Sequence, residues 1–131
     1  MIFFYSCVFL LCLVFFNLSC ANTETTSSTS SSTTTFFAFG DAGKILTSSD
    51  GTTWISRTSG TSNRLRKISY GNSTFVAVGE LGDIRTSSDG TTWTTITSGT
   101  SNQLYGVSYG NSTFVAVGAS GTILTSSDGT T

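Results

Sequence analysis

The chain has 131 residues and a formal net charge of −1, from six basic and seven acidic side chains, and it contains no His and no Pro. One modest domain is the most this length supports, and the charge balance excludes a nucleic-acid surface, which needs a clustered excess of Lys and Arg against phosphate. Without His the chain lacks the usual imidazole metal ligand and the usual general base at neutral pH, so no catalytic residue, metal site or cofactor is expected.

Residues 2–18 read IFFYSCVFLLCLVFFNL, close to the ~20 apolar residues that cross a bilayer as a helix. The position at the N-terminus and the small residues Ser19, Cys20 and Ala21 that follow make residues 1–20 a signal helix. No Lys or Arg precedes the run. Cleavage after Ala21 would place Ser19 and Ala21 at the two small-residue positions of general signal peptidase. Ser19-Cys20 after an apolar run also resembles a bacterial lipoprotein box, with Asn17 where the box carries Leu, and Cys20 would then be the lipidated first residue. Plain cleavage, an uncleaved anchor and lipidation at Cys20 remain alternatives. All three place the remainder outside the cytoplasm, secreted or held at the cell envelope by an inner- or outer-membrane anchor. Cys7, Cys12 and Cys20 are the three cysteines, so downstream there is no disulfide framework, thiol catalysis or Cys-based metal site. Residues 21–35 are almost all Ser and Thr; with nothing to pack, ordering them costs entropy without return, and they read as a disordered tether. A random coil of that length reaches on the order of 20 Å.

From residue 36 to residue 131 the chain is a repeat. SSDGTTW at residues 48–54 recurs at residues 87–93, and YGNSTFVAVG at residues 70–79 recurs at residues 109–118, both 39 residues later. A third copy of the first motif starts at Ser126 and runs to Thr131, one position short of its Trp. Within a period the pattern is strand after strand. Residues 92–97 form one around Trp93. Residues 104–109 alternate, with Tyr105, Val107 and Tyr109 on one face, and turn at Gly110-Asn111-Ser112 into residues 113–117, rich in β-branched and aromatic side chains. Residues 118–121 turn again, and residues 123–126 run up to Asp128-Gly129, a hairpin signal. Four short strands in 39 residues are the size of one β-propeller blade, since WD-type blades take roughly 40–45 residues. In that register residues 65–97 are a complete blade, residues 36–57 a blade without its inner strand, and residues 104–131 a blade without its outer strand. The fold class is therefore all-β, about two and a half blades of four antiparallel strands. A propeller ring needs at least four blades, so the expectation is a piece of a longer reading frame or a chain that self-associates.

SSDGTTW resembles the Asp-box of BNR and sialidase-like repeats, Ser-x-Asp-x-Gly-x-Thr-Trp, with one residue fewer between Asp and Gly. The wider phrase YGNSTFVAVG…G.ILTSSDGTTW is similar to propellers of the bacterial cell envelope grouped with BNR and photosystem-assembly-factor-like repeats. The resemblance covers residues 36–131. It implies that Asp50, Asp89 and Asp128 bond turn backbone, that Trp54 and Trp93 pack between sheets, and that the Asp-box points away from any active site.

Charges outside these turns and the tether's Glu24 fall where the repeats differ. Asp41, Glu80 and Ala119 are equivalent, as are Lys44, Asp83 and Thr122, then Leu46, Arg85 and Leu124, then Arg57 and Ile96. Arg64, Arg66 and Lys67 correspond to Gln103, Tyr105 and Gly106. These three form a small basic patch, the candidate ligand surface at one mouth of the ring, suited to an anionic sugar or to an acidic loop of a protein partner. Asn72 and Asn111 open N-glycosylation sequons in predicted turns. The expected function is a non-enzymatic extracytoplasmic binding or scaffold propeller, tethered to the envelope through its N-terminal segment or a lipid. Two alternatives follow from the resemblance: a fragment of a sialidase-like glycoside hydrolase, and an assembly factor for a membrane complex. The hydrolase would need an arginine cluster, a Tyr–Glu pair and an acid Asp. Arg57, Arg64, Arg66 and Arg85 are present, but Glu80 is the only Glu in the repeats.

Overall fold

In the structure, a computed structural model that describes residues 19–22 and 35–130, the chain runs up and down through antiparallel strands, each laid beside the one before it within its sheet. The apolar run of residues 2–18, most of the Ser/Thr segment and Thr131 lie outside the described residues. The first sheet holds β1 (Ser19–Asn22), β2 (Phe36–Phe39), β3 (Ile45–Ser48) and β4 (Ile55–Arg57). The second holds β5 (Leu65–Gly71), β6 (Thr74–Gly79), β7 (Ile84–Ser87) and β8 (Thr94–Ile96), and the third holds β9 (Leu104–Gly110), β10 (Thr113–Gly118) and β11 (Ile123–Ser126). The first strands of the three sheets neighbour one another, β5 lying beside both β1 and β9. They form the inner edge of the array.

One strand corrects the sequence reading. Residues 36–57 are not a blade without an inner strand, because β1 pairs with β2, Cys20 opposite Ala38 and Asn22 opposite Phe36. A strand four residues long, separated from its partner by a Ser/Thr stretch, carries no local signal. Only the unpaired edge of β2 selects it.

The turns follow from backbone chemistry. Between β5 and β6, Asn72 and Ser73 both take positive φ (46° and 58°), as do Asn111 and Ser112 between β9 and β10 (47° and 57°). Two consecutive positive φ values make the turn whose twist matches the flanking strands. After β6 a single 3-10 turn at Glu80–Gly82 reverses the chain. Gly82 sits there at φ +71°, and a Cβ on it would stand 2.0 Å from the Thr100 carbonyl oxygen, so only glycine fits.

Packing between sheets repeats with the sequence. Phe37, Phe39 and Ile45 of the first sheet pack against Leu65, Ile68, Ala77 and Trp93 of the second. Val76, Val78 and Ile84 of the second pack against Leu104, Val107, Phe114 and Ala116 of the third. Burying each large side chain contributes roughly 1.5–3 kcal/mol, so these two interfaces carry most of the stability.

The inner strands depart from strict alternation. Register shifts at Leu65/Lys67 in β5 and opposite Val117/Gly118 in β9, a β-bulge in each. Leu104 and Val107 are therefore the buried pair, and Tyr105 is 52% exposed instead of sharing a face with Val107. A bulge sets two residues against one and turns the extra side chain out. The spacing Leu65…Ile68 and Leu104…Val107 was the available signal, since three is not a strand period.

Candidate functional site

The bulges place Arg66 and Tyr105 where β5 and β9 begin, beside the turn that follows β6. Arg66 Nη2 donates to Glu80 Oε1 at 3.0 Å, and Gln103 Nε2 donates to the same oxygen at 3.2 Å. The Arg66 guanidinium lies 5.6 Å from the centre of the Tyr105 ring, within cation–π range. Arg64 Nε pairs with Asp41 Oδ1 at 2.9 Å. The result is a row that crosses all three sheets: Asp41 from the first, Arg64, Arg66 and Glu80 from the second, Gln103 and Tyr105 from the third. Lys67 is exposed on β5. Of the three cations read as a basic patch, two thus face carboxylates, and the surface is one of mixed charge. Such part-exposed pairs contribute about 0.2–1 kcal/mol each. Their effect is to position side chains more than to stabilise.

A second polar cluster is enclosed. Asp83 accepts from Arg85 Nε at 2.6 Å and Nη2 at 3.3 Å, from Asn63 Nδ2 at 3.1 Å and from the Thr61 hydroxyl. Arg85 Nη1 donates to the Thr95 hydroxyl. Burial pushes the Asp83 carboxyl up, but hydrogen bonds and the charge of Arg85, with help from Thr61 and Asn63, hold it below the usual carboxylate range. Thr61 and Asn63 lie on the loop between the first two sheets, so the ion pair pins that loop to β7. The third repeat replaces the pair with Thr122 and Leu124, and Asn102 Nδ2 donates to the Thr122 hydroxyl at 2.9 Å. Arg57 Nε donates to the Thr47 hydroxyl at 2.9 Å. The four arginines of the hydrolase expectation are thus held by separate partners.

The Ser-Ser-Asp-Gly turns have one geometry throughout. Asp89 Oδ1 accepts from Thr91 N and Thr92 N at 2.8 Å, and Ser87 Oγ accepts from Gly90 N at 2.8 Å while donating to Asp89. Asp50 accepts from Thr52 N and Thr53 N, and Asp128 from Thr130 N. Backbone N–H donors, with the Ser hydroxyl, hold Asp50 and Asp89 well below the usual carboxylate range. A lowered folded pKa gives stability that is present above the unfolded value, about 3.9, and lost as pH falls through the folded value. The unfolding temperature of the chain is expected to drop below about pH 4, and Asp50→Asn with Asp89→Asn to flatten that drop. An unchanged acid limb in the double variant would count against this account. Trp93 is 8% exposed between the first two sheets, whereas Trp54 is 36% exposed. The expectation that both pack between sheets holds for Trp93 and is corrected for Trp54, because no described sheet lies on its side of β4.

Sheets of consecutive antiparallel strands, stacked side by side with their first strands at a common inner edge, define a β-propeller array. No family model matches the chain, and no curated protein matches it. A solved structure, YCF48 bound to D1 peptide, superposes with a TM-score of 0.62 at 20% identity over 73% of this chain and 34% of that one. The chain thus spans about a third of that protein's length, and the likeness is one of fold.

Proposed function

We propose that the chain is a non-enzymatic binding propeller of the cell envelope, which offers the row from Asp41 to Tyr105 to a segment of a protein partner. The observation that carries this reading is the row itself. Its side chains come from three sheets onto one surface, and they occupy the positions where otherwise near-identical repeats differ, so the blade does not require them. That a propeller of similar fold, YCF48, has been seen with a peptide bound, the D1 peptide, supports a protein partner over a carbohydrate. The apolar segment of residues 2–18 would carry the propeller out of the cytoplasm, with lipidation at Cys20 ending it; cleavage after Ala21 would instead remove all of β1 but Asn22. Lipidation would make Cys20 the first residue of the mature chain, and β1 would then begin at the membrane surface.

A photo-cross-linking side chain in place of Lys67 is expected to capture a discrete partner in cells, and the same group at Ile55, exposed on the outer strand, is not. Arg64→Glu with Arg66→Glu should abolish the product. Equal capture at both positions, or capture that survives the charge reversal, would overturn the assignment. Turnover of a fluorogenic sialoside would overturn the non-enzymatic reading. An unchanged membrane partition in Cys20→Ala would refute lipidation.

A further inference from the structure

Each Ser-Ser-Asp-Gly turn contains the dipeptide in which a peptide chain isomerises most readily. The amide nitrogen that follows an aspartate can attack that residue's own side-chain carboxyl, and glycine, with no Cβ, hinders the approach least. The new N–Cγ bond closes a succinimide, and water leaves with one carboxyl oxygen and the amide proton. Water then adds back at either ring carbonyl. Opening at the α-carbonyl carries the chain on through Cβ and Cγ as isoaspartate. The turn cannot dispense with the pair, because Gly51 and Gly90 take φ of +74° and +72° and the two aspartates accept from the backbone N–H groups that follow.

One hydroxyl holds both reacting groups. Ser87 Oγ accepts from the attacking nitrogen, Gly90 N, at 2.8 Å and donates to Oδ1 of the attacked carboxyl, Asp89, at 2.9 Å. Ser48 Oγ holds Gly51 N and Asp50 Oδ1 at the same two distances, 2.8 and 2.9 Å. Swinging the Asp89 carboxyl onto Gly90 N would also break its bonds to Thr91 N and Thr92 N. The Thr53 and Thr92 N–H groups lead the donors that hold the two carboxyls well below the usual range, and an ionised carboxylate is the poorer electrophile. We propose that Asp50 and Asp89 are latent isoaspartate sites, and that Ser48 and Ser87 keep them closed. The consequence of opening differs between them. Isoaspartate lengthens the backbone by one atom and withdraws the carboxylate from the threonine N–H groups. A Cβ on Gly90 would stand 2.7 Å from Phe37 Cζ, against 3.9 Å from Phe36 for Gly51, so the turn before Trp93 has no room to shift. Isomerisation at Asp89 therefore unseats Trp93 from between the sheets, whereas at Asp50 it moves the exposed Trp54.

The test incubates the full chain at neutral pH and maps isoaspartate at residues 50 and 89 separately by peptide analysis. The folded chain is expected to form it more slowly at both sites than the same chain in urea. Ser87→Ala should raise the rate at Asp89 by about tenfold or more, the effect of losing a hydrogen bond to a charged group, and leave Asp50 unchanged. Ser48→Ala should do the reverse. The unmutated turn in each variant reports on folding, because a general loosening raises both sites together, and that outcome would overturn the proposal. Unchanged rates in both variants would overturn it as well, as would a folded chain that isomerises as fast as the unfolded one. At equal extents of isomerisation, the unfolding temperature is expected to fall further in Ser87→Ala than in Ser48→Ala. Equal falls would contradict the displacement of Trp93.

Discussion

Trp93→Ala is expected to lower the unfolding free energy by about 3–5 kcal/mol, the range for removing a large aromatic from a core, read from urea denaturation. The indole is the piece that joins the first sheet to the second. It meets Phe37 edge-on, and Phe37 in turn lies 4.8 Å from Phe75, whose ring packs 4.4 Å from Tyr70. Removing it leaves a cavity that neither sheet can close without shifting these rings, and the cost rises with the volume that stays empty. Trp54→Ala is the control. It deletes the same side chain from the same turn motif, at a position 36% exposed, and should cost clearly less. Equal losses at the two positions would mean that the turn and not the interface is what tryptophan stabilises.

The second large effect lies in the enclosed ion pair. Arg85→Leu, which installs the residue that the first and third repeats carry, is expected to destabilise by about 3–5 kcal/mol, because it strands a buried carboxylate. Adding Asp83→Thr reproduces the third repeat's Thr122 and Leu124, and should recover most of that loss. A double variant as unstable as the single one would show that the guanidinium matters through packing. The pH response separates the two as well. With Arg85 present, the lowered Asp83 pKa gives stability above the unfolded value of about 3.9, lost as pH falls. In Arg85→Leu the opposing charge is gone and burial raises the pKa, so the variant's deficit should shrink as Asp83 takes up its proton. A deficit constant between neutral and acid pH would contradict this.

The Trp93 effect arises from contacts between distant segments, and the Asp83–Arg85 pair, though its partners are two residues apart, is enclosed by Thr61 and Asn63 from the preceding loop, whereas the 39-residue period and the strands at residues 113–117 and 123–126 rest on local chemistry and are legible in the sequence. Asn-Ser and Asp-Gly supply the turn conformations, and β-branched and aromatic side chains fill the segments between them. The Ser-Ser-Asp-Gly turn closes on its own backbone within a few residues, so its hydrogen bonds could be anticipated from the motif. The row at the inner edge was half legible. The variable positions singled out Arg64 and Arg66, but their partners Asp41 and Glu80 lie 23 and 14 residues away, set by which turn faces which strand.

The amino-acid sequence by itself determined the repeat, the all-β class and the turn chemistry, since each depends on contacts within one hairpin. Three features were decided only in the tertiary structure. β1 exists because the edge of β2 offers unpaired hydrogen bonds to a distant segment. The bulges at Arg66 and Tyr105 arise because each inner strand has to bend to bring its start against the neighbouring turn. Trp93 is enclosed while Trp54 is open, although both sit in SSDGTTW, because burial depends on whether a second sheet stands opposite. A residue's own neighbours in sequence fix its backbone; the sheet across the interface fixes what its side chain does.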